Sequence, residues 1–383
     1  MPQIPIEPYE LNMIKEIEFA NYRIFAEKQK LVLAPITIVF GKNNVGKSAL
    51  LKLPVLIKSI LSSAQEDTEL FEKSAYGLRI CENYSDVVYG KAHRAINLSM
   101  TDGTNNVSLD FFVESKGNPR TQIEKMSGVL YDGTEITNRN QLHKIFNFDI
   151  EYLKSIRDYP KDGYFSLSEI EADFSQSGGM FAYKRLVNDS NYHSEGLCAK
   201  VSNWYEQTFD GWGIEVDNSR DPIFSVHLKH DNIKTNILDG GAGIAQSLPV
   251  IVSAATPIKA PKLFIYEEPE THLHPEAHGD IAEFIAKEAI SSDGNKNFLI
   301  ESHSVNFLLR LRRLVADGTL RKEDVALYYV EFDPDKSQSK LKPVKVNSDG
   351  SVNGWPEDVF KETLEETLAL RRAQLQRKEG AAE

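Results

Sequence analysis

The sequence predicts an α/β fold with a mixed, partly parallel central sheet and an additional antiparallel β portion. Residues 34–40 form an apolar run that is followed at once by a glycine-rich loop and a helical stretch, as in a strand–loop–helix unit. From residue 236 onward, apolar runs alternate with helical patterns, which is the order expected of parallel strands joined by helices. Residues 95–100 and 107–113 alternate apolar and polar side chains around the turn 101–106, which indicates an antiparallel hairpin.

Composition limits the class of protein. The chain has 383 residues, of which 41% are hydrophobic and 26% charged, and these values are typical of a globular protein. Its first residues lack the basic and apolar segments of a secretion signal, and no apolar run has the length of a membrane span. Because the two cysteines lie far apart, we expect a cytoplasmic protein without disulfides or a structural zinc site. The net charge of −12 argues against a generally basic nucleic-acid coat, although not against a local basic groove.

Five segments are expected along the chain, and the first is a flexible, Pro-rich extension over residues 1–12. Residues 13–113 hold the first part of the main domain. Within it, residues 13–19 alternate as in a half-buried strand, and helices are predicted for 49 to about 63 and for 68–79.

Residues 114–235 are predicted to form an inserted α+β arm. Helical patterns cover 141–156 and 196–208, and strand patterns cover 213–216 and 223–229. No heptad pattern is sustained over several turns, which argues against a long coiled coil in this interval.

Residues 236–330 hold the second part of the main domain, and 331–383 are predicted to form a C-terminal hairpin cap and a charged helix. In the second part we expect buried strands at 262–270, 297–303 and 325–332, and helices at 244–255, 275–290 and 305–316.

The loop from Gly41 to Ser48 is a complete G-x-x-x-x-G-K-S phosphate loop. Its glycines let backbone N–H groups close around phosphates, and the N-terminus of the following helix adds a positive dipole. Lys47 is expected to reach the β- and γ-phosphates of ATP, and Ser48 to ligate Mg²⁺. The other nucleotide contacts of the loop are assigned to Lys42, Asn43, Asn44, Val45, Gly46 and Ala49.

Two carboxylates follow the apolar strand 263–266, and a phosphate loop needs an acid across the site to hold Mg²⁺. Glu267 is expected on the Mg²⁺ side, directly or through water, and Glu268 as the general base or positioner of the attacking water. A solvated acidic turn is the alternative. His303 follows the next apolar strand and is expected to donate to the γ-phosphate and sense its loss, with a structural histidine as the alternative. Arg23 is a candidate phosphate contact, or else a member of a surface ion pair.

The phosphate loop, Glu267 to Pro275, and Ile300 to His303 together resemble ABC-type ATPases of the RecF/SMC kind, and in particular the ATPase domains of the OLD (overcoming lysogenization defect) class. The resemblance covers about 12–60 and 236–360. It implies an ABC-type P-loop fold that binds and hydrolyses ATP with Mg²⁺. Glu267 would be the Walker B acid, Glu268 the catalytic carboxylate and His303 the switch histidine.

The glycine-rich segment 239–249 is similar to the signature segment of this class. The resemblance implies that Gly241, Gly243 and Gln246 bind a nucleotide held by a second subunit, so that ATP is sandwiched in a homodimer. Ala245 stands where relatives often carry serine, and a nucleotide-gated scaffold with little turnover is therefore an alternative. A Q-loop glutamine is not identified, and the segment around Asp86 is the candidate for its place.

Members of this class commonly serve in bacterial phage defence as sensors that hold or release a toxic nuclease. Only 80 residues follow His303, fewer than the nuclease (TOPRIM) domain of full OLD proteins requires, so we expect a separate effector chain such as a nuclease. A RecF-like repair ATPase that acts directly on DNA is the alternative. A basic cluster could touch nucleic acid or an acidic partner, although a solvated helix face is the favoured explanation; it consists of Arg310, Arg312, Arg313, Arg321 and Lys322.

Overall fold

The computed structural model describes residues 13–62, 78–80, 84–91, 94–114, 120–129, 133–136, 146, 148–161, 163–168, 176–192, 196–292, 294–356 and 369–371. The α-helices are α1 (Lys47–Ser62), α2 (Phe181–Tyr192), α3 (Leu197–Thr208), α4 (Ala242–Ala255), α5 (Ala277–Ile290) and α6 (Val305–Ala316). The strands are β1 (Glu16–Ala20), β2 (Gln29–Val32), β3 (Ile36–Gly41), β4 (Ile96–Thr101), β5 (Asn106–Glu114), β6 (Arg120–Val129), β7 (Asp149–Leu153), β8 (Gly213–Arg220), β9 (Ile223–His230), β10 (Ile233–Asn236), β11 (Lys262–Glu267), β12 (Lys296–Glu301), β13 (Val325–Asp333), β14 (Gln338–Val346) and β15 (Val352–Asn353).

The central sheet positions the functional residues. Its strand order is β15-β14-β13-β3-β12-β11-β7. The five strands from β13 to β7 are parallel, and β14 and β15 are antiparallel additions. Because parallel strands end at the same edge, the segments that follow β3, β11 and β12 converge there. These are the phosphate loop, the predicted carboxylate pair and the predicted histidine.

The central sheet is covered on both faces, which explains its continuously apolar strands. In β3, Ile38 and Phe40 belong to the apolar core formed with α4, α5 and α6. Val39 points to the opposite core, where it joins Leu50 and Leu53 of α1. This burial on alternating sides confirms the strand–loop–helix unit predicted from residues 34–63.

Two further sheets are antiparallel. One has the order β2-β1-β4-β5-β6, and its β4/β5 pairing, with Met100 opposite Val107, confirms the predicted hairpin. The other has the order β10-β9-β8 and confirms the strands predicted at 213–216 and 223–229. The α/β fold class with a mixed central sheet and an antiparallel portion is therefore confirmed.

The structure differs from the prediction in the interval 114–235. A helix was expected over 141–156, and this is wrong for Asp149–Leu153, which forms the edge strand β7 beside β11. The strand forms because Ile150 and Tyr152 are buried in one core and Leu153 in the other, and this long-range pairing leaves no periodic signal in the local sequence. Part of the expected arm thus belongs to the central sheet.

Several predicted segments lie wholly or mostly outside the described residues. They include the extension 1–12, most of the helix over 68–79 and most of the terminal charged helix, of which 369–371 are helical. The C-terminal hairpin is present, since β14 pairs with β15 through Lys345 and Asn353. The division of the chain into five segments stays a prediction.

Candidate nucleotide-binding site

The phosphate loop joins β3 to α1 at the carboxyl edge of the central sheet. Gly46 has a φ of 101°, and a Cβ at this position would lie 2.6 Å from Cγ2 of Ile24, so glycine is needed for both the turn and the packing. Helix α1 begins at Lys47, and its N-terminus faces a cavity of about 900 Å³. A cavity of this size suits a nucleotide, and the helix N-terminus favours an anion.

The cavity collects most of the predicted site residues. Those that line it are Arg23, Asn43, Asn44, Gly46, Lys47, Ser48, Ala49, Glu268 and His303. The other loop residues shape the loop instead: the Lys42 carbonyl accepts a hydrogen bond of 2.7 Å from Lys47 Nζ, and Val45 is buried in the core. Asp86, from the segment proposed for the Q-loop place, also lines the cavity.

Glu301, at the end of β12, lies against the phosphate loop. Its carboxylate accepts a hydrogen bond of 3.0 Å from Ser48 Oγ and lies 3.5 Å from Lys47 Nζ. Burial acts to raise the pKa of Glu301, but the nearby imidazole of His303, the charge of Lys47 and the hydrogen bond from Ser48 outweigh it and lower the pKa. Burial also lowers the pKa of Lys47, against the pull of Glu301 and Glu268. The two groups thus form a buried ion pair under the cavity.

The predicted metal ligand Glu267 lies elsewhere. Its carboxylate accepts hydrogen bonds of 2.5 Å from Tyr152 Oη and 3.2 Å from the Ser155 N–H. Burial and the negative charge of Glu267 raise the pKa of Tyr152 well above its usual range, so Tyr152 stays a donor. The reason is topological: β12 lies between β3 and β11, so Glu301 is one strand nearer to the phosphate loop than Glu267. The role of Glu267 stays a prediction, and the described structure gives it no direct contact with Ser48.

The oxygen atoms at the loop suit a Mg²⁺ ion. Ser48 Oγ and Glu301 Oε2 are hard oxygen ligands, the type that Mg²⁺ prefers, and they lie 3.0 Å apart. Ligand atoms of Glu268, Glu301 and His303 also lie within 4.8 Å of one another. Sequence reasoning missed Glu301, although its position at the end of an apolar strand, two residues before His303, carried the same signal that selected Glu267.

Glu268 occupies a constrained turn. Its φ is 43°, which is unusual for a residue with a side chain, and Pro269 follows it. Its N–H donates to the Glu301 carbonyl at 2.8 Å, and Thr271 Oγ1 donates to its carboxylate at 3.1 Å. These contacts hold the carboxylate at the cavity instead of along the strand.

His303 follows β12 and is partly exposed in the same cavity. Its Nε2 lies 3.8 Å from Glu301 Oε1, and its backbone N–H donates to Glu270 Oε1 at 3.0 Å. Burial raises the pKa of Glu270, although hydrogen bonds from Ser302 and His303 oppose this. Glu270 therefore fixes the backbone that carries His303. The sequence did not reveal this role of Glu270.

The glycine-rich segment does not reach this cavity. Gly241 precedes α4 with a φ of 100°, and Gly243 packs against the turn at His272. Gln246 was expected to contact a nucleotide, but its side chain is buried and both amide atoms are hydrogen-bonded to the backbone of Arg157. Within one chain, the phosphate loop and the glycine-rich segment therefore do not line the same cavity.

Arg23 is one of the residues that line the cavity. Its Nη2 donates to the Ile80 carbonyl, while its buried Nε has no hydrogen-bond partner within the described residues. Its neighbours Tyr22 and Phe25 are fully buried and pack with Phe19, so they serve the core.

Two arginines of the basic cluster near α6 pair with acids of the same chain. Arg310 pairs with Asp280 at 3.0 Å and with Glu283 at 2.7 Å, and Arg313 pairs with Glu283 at 3.1 Å. Arg312 donates to the Gly350 carbonyl at 2.9 Å. This pairing favours a solvated helix face over a nucleic-acid surface.

A phosphate loop between a strand and a helix, with carboxylates and a histidine at the ends of the neighbouring strands, defines an ABC-type P-loop ATPase fold. Solved structures with this fold include an Smc head bound to the C-winged helix domain of ScpA, with 14% identity, a TM-score of 0.54, and coverage of 87% of this chain and 98% of that chain. An Smc head from Pyrococcus furiosus with an extended coiled coil, bound to the C-terminal domain of ScpA, gives 12% identity, a TM-score of 0.51, and coverage of 87% and 96%. At such identities the similarity shows the fold alone.

Residues 36–310 match the model of the family described as "AAA domain, putative AbiEii toxin, Type IV TA system", and the chain belongs to this family. Residues 320–370 match a second model, described as a protein of unknown function (DUF3696). Protein ea59 of Escherichia phage lambda is 23% identical over 159 residues, which span 41% of this chain and 28% of that protein. None of the helices in the described part of the chain combines the length and apolar character of a membrane span.

Proposed function

We propose that the protein binds ATP with Mg²⁺ in the cavity at the phosphate loop and hydrolyses it to ADP and phosphate. One observation carries the proposal: Lys47, Ser48, Glu268, Glu301 and His303 face one cavity at the start of α1. A base, a buried cation and oxygen ligands for Mg²⁺ are the groups that phosphoryl transfer to water requires.

Each residue has a distinct part in this mechanism. Lys47 would neutralise charge on the terminal phosphates, in exchange for its present pairing with Glu301. Ser48 and Glu301 would hold Mg²⁺, which would supply charge neutralisation to the phosphates. Glu268 would orient the attacking water and accept its proton, and His303 would donate a hydrogen bond beside it. Glu267 would act on this site through solvent.

We further propose that two copies of the chain sandwich the nucleotide. Gly241 and Gly243 lie outside the chain's own cavity, as expected if they serve the nucleotide of a second subunit. In this arrangement the protein would act in the cytoplasm as a nucleotide-gated sensor, which controls a separate effector such as a nuclease in anti-phage defence. The family description, which names a toxin of a type IV toxin–antitoxin system, and the partner-bound Smc heads support a multi-component assembly.

A nucleotide-gated scaffold with little turnover is the second candidate. It is favoured by Ala245, which is buried in the first turns of α4 and offers no hydroxyl to a phosphate. The internal pairing of Arg310 and Arg313 disfavours direct action on DNA.

Phosphate release from the purified protein, measured beside binding of a fluorescent ATP analogue, tests the proposal. We expect turnover in the wild type, loss of turnover with retained binding in Glu268→Gln, and loss of binding in Lys47→Ala. Glu323→Gln, at an exposed position, is the matched control. Binding without phosphate release in the wild type would overturn the ATPase and leave the scaffold. Failure of the Glu268→Gln protein to double in mass with ATP and Mg²⁺, measured by light scattering, would overturn the sandwiched dimer.

A further inference from the structure

Arg157 is among the largest fully buried side chains of the described structure, with 1% of its surface exposed. It follows β7 in a segment for which the sequence predicted no function. Its Nη2 donates to the carbonyl oxygens of Glu267 at 2.8 Å and Glu268 at 3.0 Å. Its Nη1 donates to the carbonyl oxygen of Gln246 at 3.3 Å. One guanidinium thus joins the end of β11 to α4.

The backbone of Arg157 makes a second connection to α4. Its N–H donates to Gln246 Oε1 at 2.8 Å, and its carbonyl accepts from Gln246 Nε2 at 2.6 Å. The amide of Gln246 is therefore paired at both ends, so α4 cannot shift without moving Arg157. Since Gln246 belongs to the glycine-rich segment and lies about one turn after Gly243, that segment is coupled mechanically to Arg157.

The charge of Arg157 is expensive for a purely structural contact. Within the described residues, all its guanidinium hydrogen bonds end on backbone carbonyls and its buried Nε has no hydrogen-bond partner. Burial lowers the pKa of Arg157 to about 10, while Glu270, Tyr266, Glu267 and Glu268 favour its charged form. A buried cation is costly unless surrounding groups compensate it, and here the compensating acids are those of the catalytic edge.

The contact with Glu268 acts where the backbone is strained. The φ of 43° at Glu268 is costly for a residue with a side chain, and Pro269 restricts the same residue further. Such a conformation persists only when surrounding contacts determine it. The Arg157 hydrogen bond to the Glu268 carbonyl is one of these contacts, and the N–H of Glu268 to Glu301 is another.

We infer that Arg157 is a positioning residue that transmits the position of the glycine-rich segment, through Gln246, to the catalytic carboxylate Glu268. The inference rests on the proposed ATPase function. When a partner binds the glycine-rich segment, α4 moves. The guanidinium of Arg157 transmits this movement to the end of β11 and so determines the orientation of the Glu268 carboxylate. Hydrolysis then depends on dimer closure, without any contact between Arg157 and the nucleotide.

Hydrogen exchange with and without ATP and Mg²⁺ tests this coupling in the full chain. In the wild type we expect ATP to slow exchange in both 239–247 and 266–271. In Arg157→Lys, which keeps the charge but loses the planar fork, protection should remain in 239–247 and be lost in 266–271. The value of kcat should fall roughly 10- to 100-fold, the effect of misplacing a catalytic group by about 1 Å, while KM stays unchanged.

A second variant and a control complete the test. Gln246→Ala leaves Arg157 in place and should show the same pattern, with an effect on kcat that does not add to that of Arg157→Lys. Arg185→Lys alters another arginine, whose guanidinium hydrogen bonds go to Glu151 and Thr256 instead of the backbone at Glu267 and Glu268, and should leave kcat and the exchange of 266–271 unchanged. Equal kcat for Arg157→Lys and wild type, additive effects of the two variants, or parallel losses in both peptides and in KM would each overturn the inference.

Failure of the positioning role of Arg157 can be distinguished from failure of the proposed ATPase function. If the wild type neither binds nor hydrolyses ATP, the proposed function fails. In that case, hydrogen exchange without nucleotide tests whether Arg157 positions the strand end. Faster exchange of 266–271 in both variants would support the positioning role of Arg157, and unchanged exchange would exclude that role.

Discussion

Replacing Gly243 by alanine tests whether the glycine-rich segment must lie close to the turn after Glu268. Gly243 is in the first turn of α4, and an added Cβ would lie 2.3 Å from the carbonyl oxygen of His272. Ordinary contact begins near 3.4 Å, so the two backbones must separate by about 1 Å. The turn cannot yield easily, because His272 has a φ of 68° and Leu273 donates its N–H to the Glu270 carbonyl at 3.1 Å.

The expected magnitude follows from this displacement. Alanine is favoured over glycine in a helix by about 1 kcal/mol, whereas overpacking costs about 1–3 kcal/mol, so the free energy of unfolding should fall by about 2 kcal/mol or less. The same turn begins at Glu268, whose carbonyl accepts the Thr271 N–H at 3.0 Å. A shift of about 1 Å in a catalytic group costs up to about 100-fold in rate. We expect kcat to fall roughly 10- to 100-fold, while the affinity of the chain's own phosphate loop for ATP stays unchanged.

Phosphate release at saturating ATP measures the rate, nucleotide binding measures affinity, and urea unfolding measures stability. Gly294→Ala is the matched control, since an added Cβ there meets no atom within 4 Å, although its φ of 82° makes the substitution mildly strained. A Gly243→Ala protein with wild-type kcat would refute the reasoning, because it would show that close approach of the two segments is not needed for turnover.

Three further outcomes are expected. Glu301→Gln removes a negative charge beside the phosphate loop, so ATP should bind more tightly without Mg²⁺, and the Mg²⁺ dependence of ATP binding should weaken. Fluorescent titrations that show an unaltered Mg²⁺ dependence would contradict this. Glu151→Gln breaks the buried pair with Arg185, whose nitrogens lie 2.8 and 2.9 Å from the carboxylate, and should lower the free energy of unfolding in urea by about 3 kcal/mol; a loss below about 1 kcal/mol would show that the pair is not structural. Asp102→Ala should cost about 2 kcal/mol near neutral pH. Burial acts to raise the pKa of Asp102, but hydrogen bonds from the residues that follow it in the turn outweigh burial and hold the pKa below 3.8. The stability that the Asp102 carboxylate contributes is therefore complete above that pH, and it is lost as the pH falls through the pKa of the folded state. The unfolding energies of wild type and variant should therefore converge as the pH falls below 3.8, and a constant difference would contradict the assignment.

Local patterns predicted the parts of the fold that depend on short-range chemistry. The phosphate loop, the hairpin of β4 and β5, and the helices α3, α5 and α6 follow from glycine placement, alternation and helical periodicity within one segment. The edge strand β7 could not be recognised in this way, since it is held by pairing with β11, more than 100 residues away in sequence. Its burial depends on neighbours that the local sequence does not specify.

The candidate site shows the same division. Lys47 and Ser48 were selected from the phosphate-loop motif, and Glu268 and His303 because each follows an apolar strand. The structure brings all four to one cavity. The choice between Glu267 and Glu301 needed the strand order, because both acids lie at a strand end and only the position of β12 beside β3 distinguishes them. Motif spacing therefore identifies the edge of the sheet, and topology identifies which side chain reaches the loop.

Gln246 illustrates why resemblance to the signature segment does not by itself assign a nucleotide contact. The resemblance implied such a contact for this side chain, but a buried amide must satisfy its hydrogen bonds within the protein. Gln246 does so on the backbone of Arg157, which in turn holds the carbonyls of Glu267 and Glu268. Its effect on a nucleotide is therefore indirect and passes through the strand end. Substitutions at Gln246 should change the rate of hydrolysis before they change the affinity for ATP.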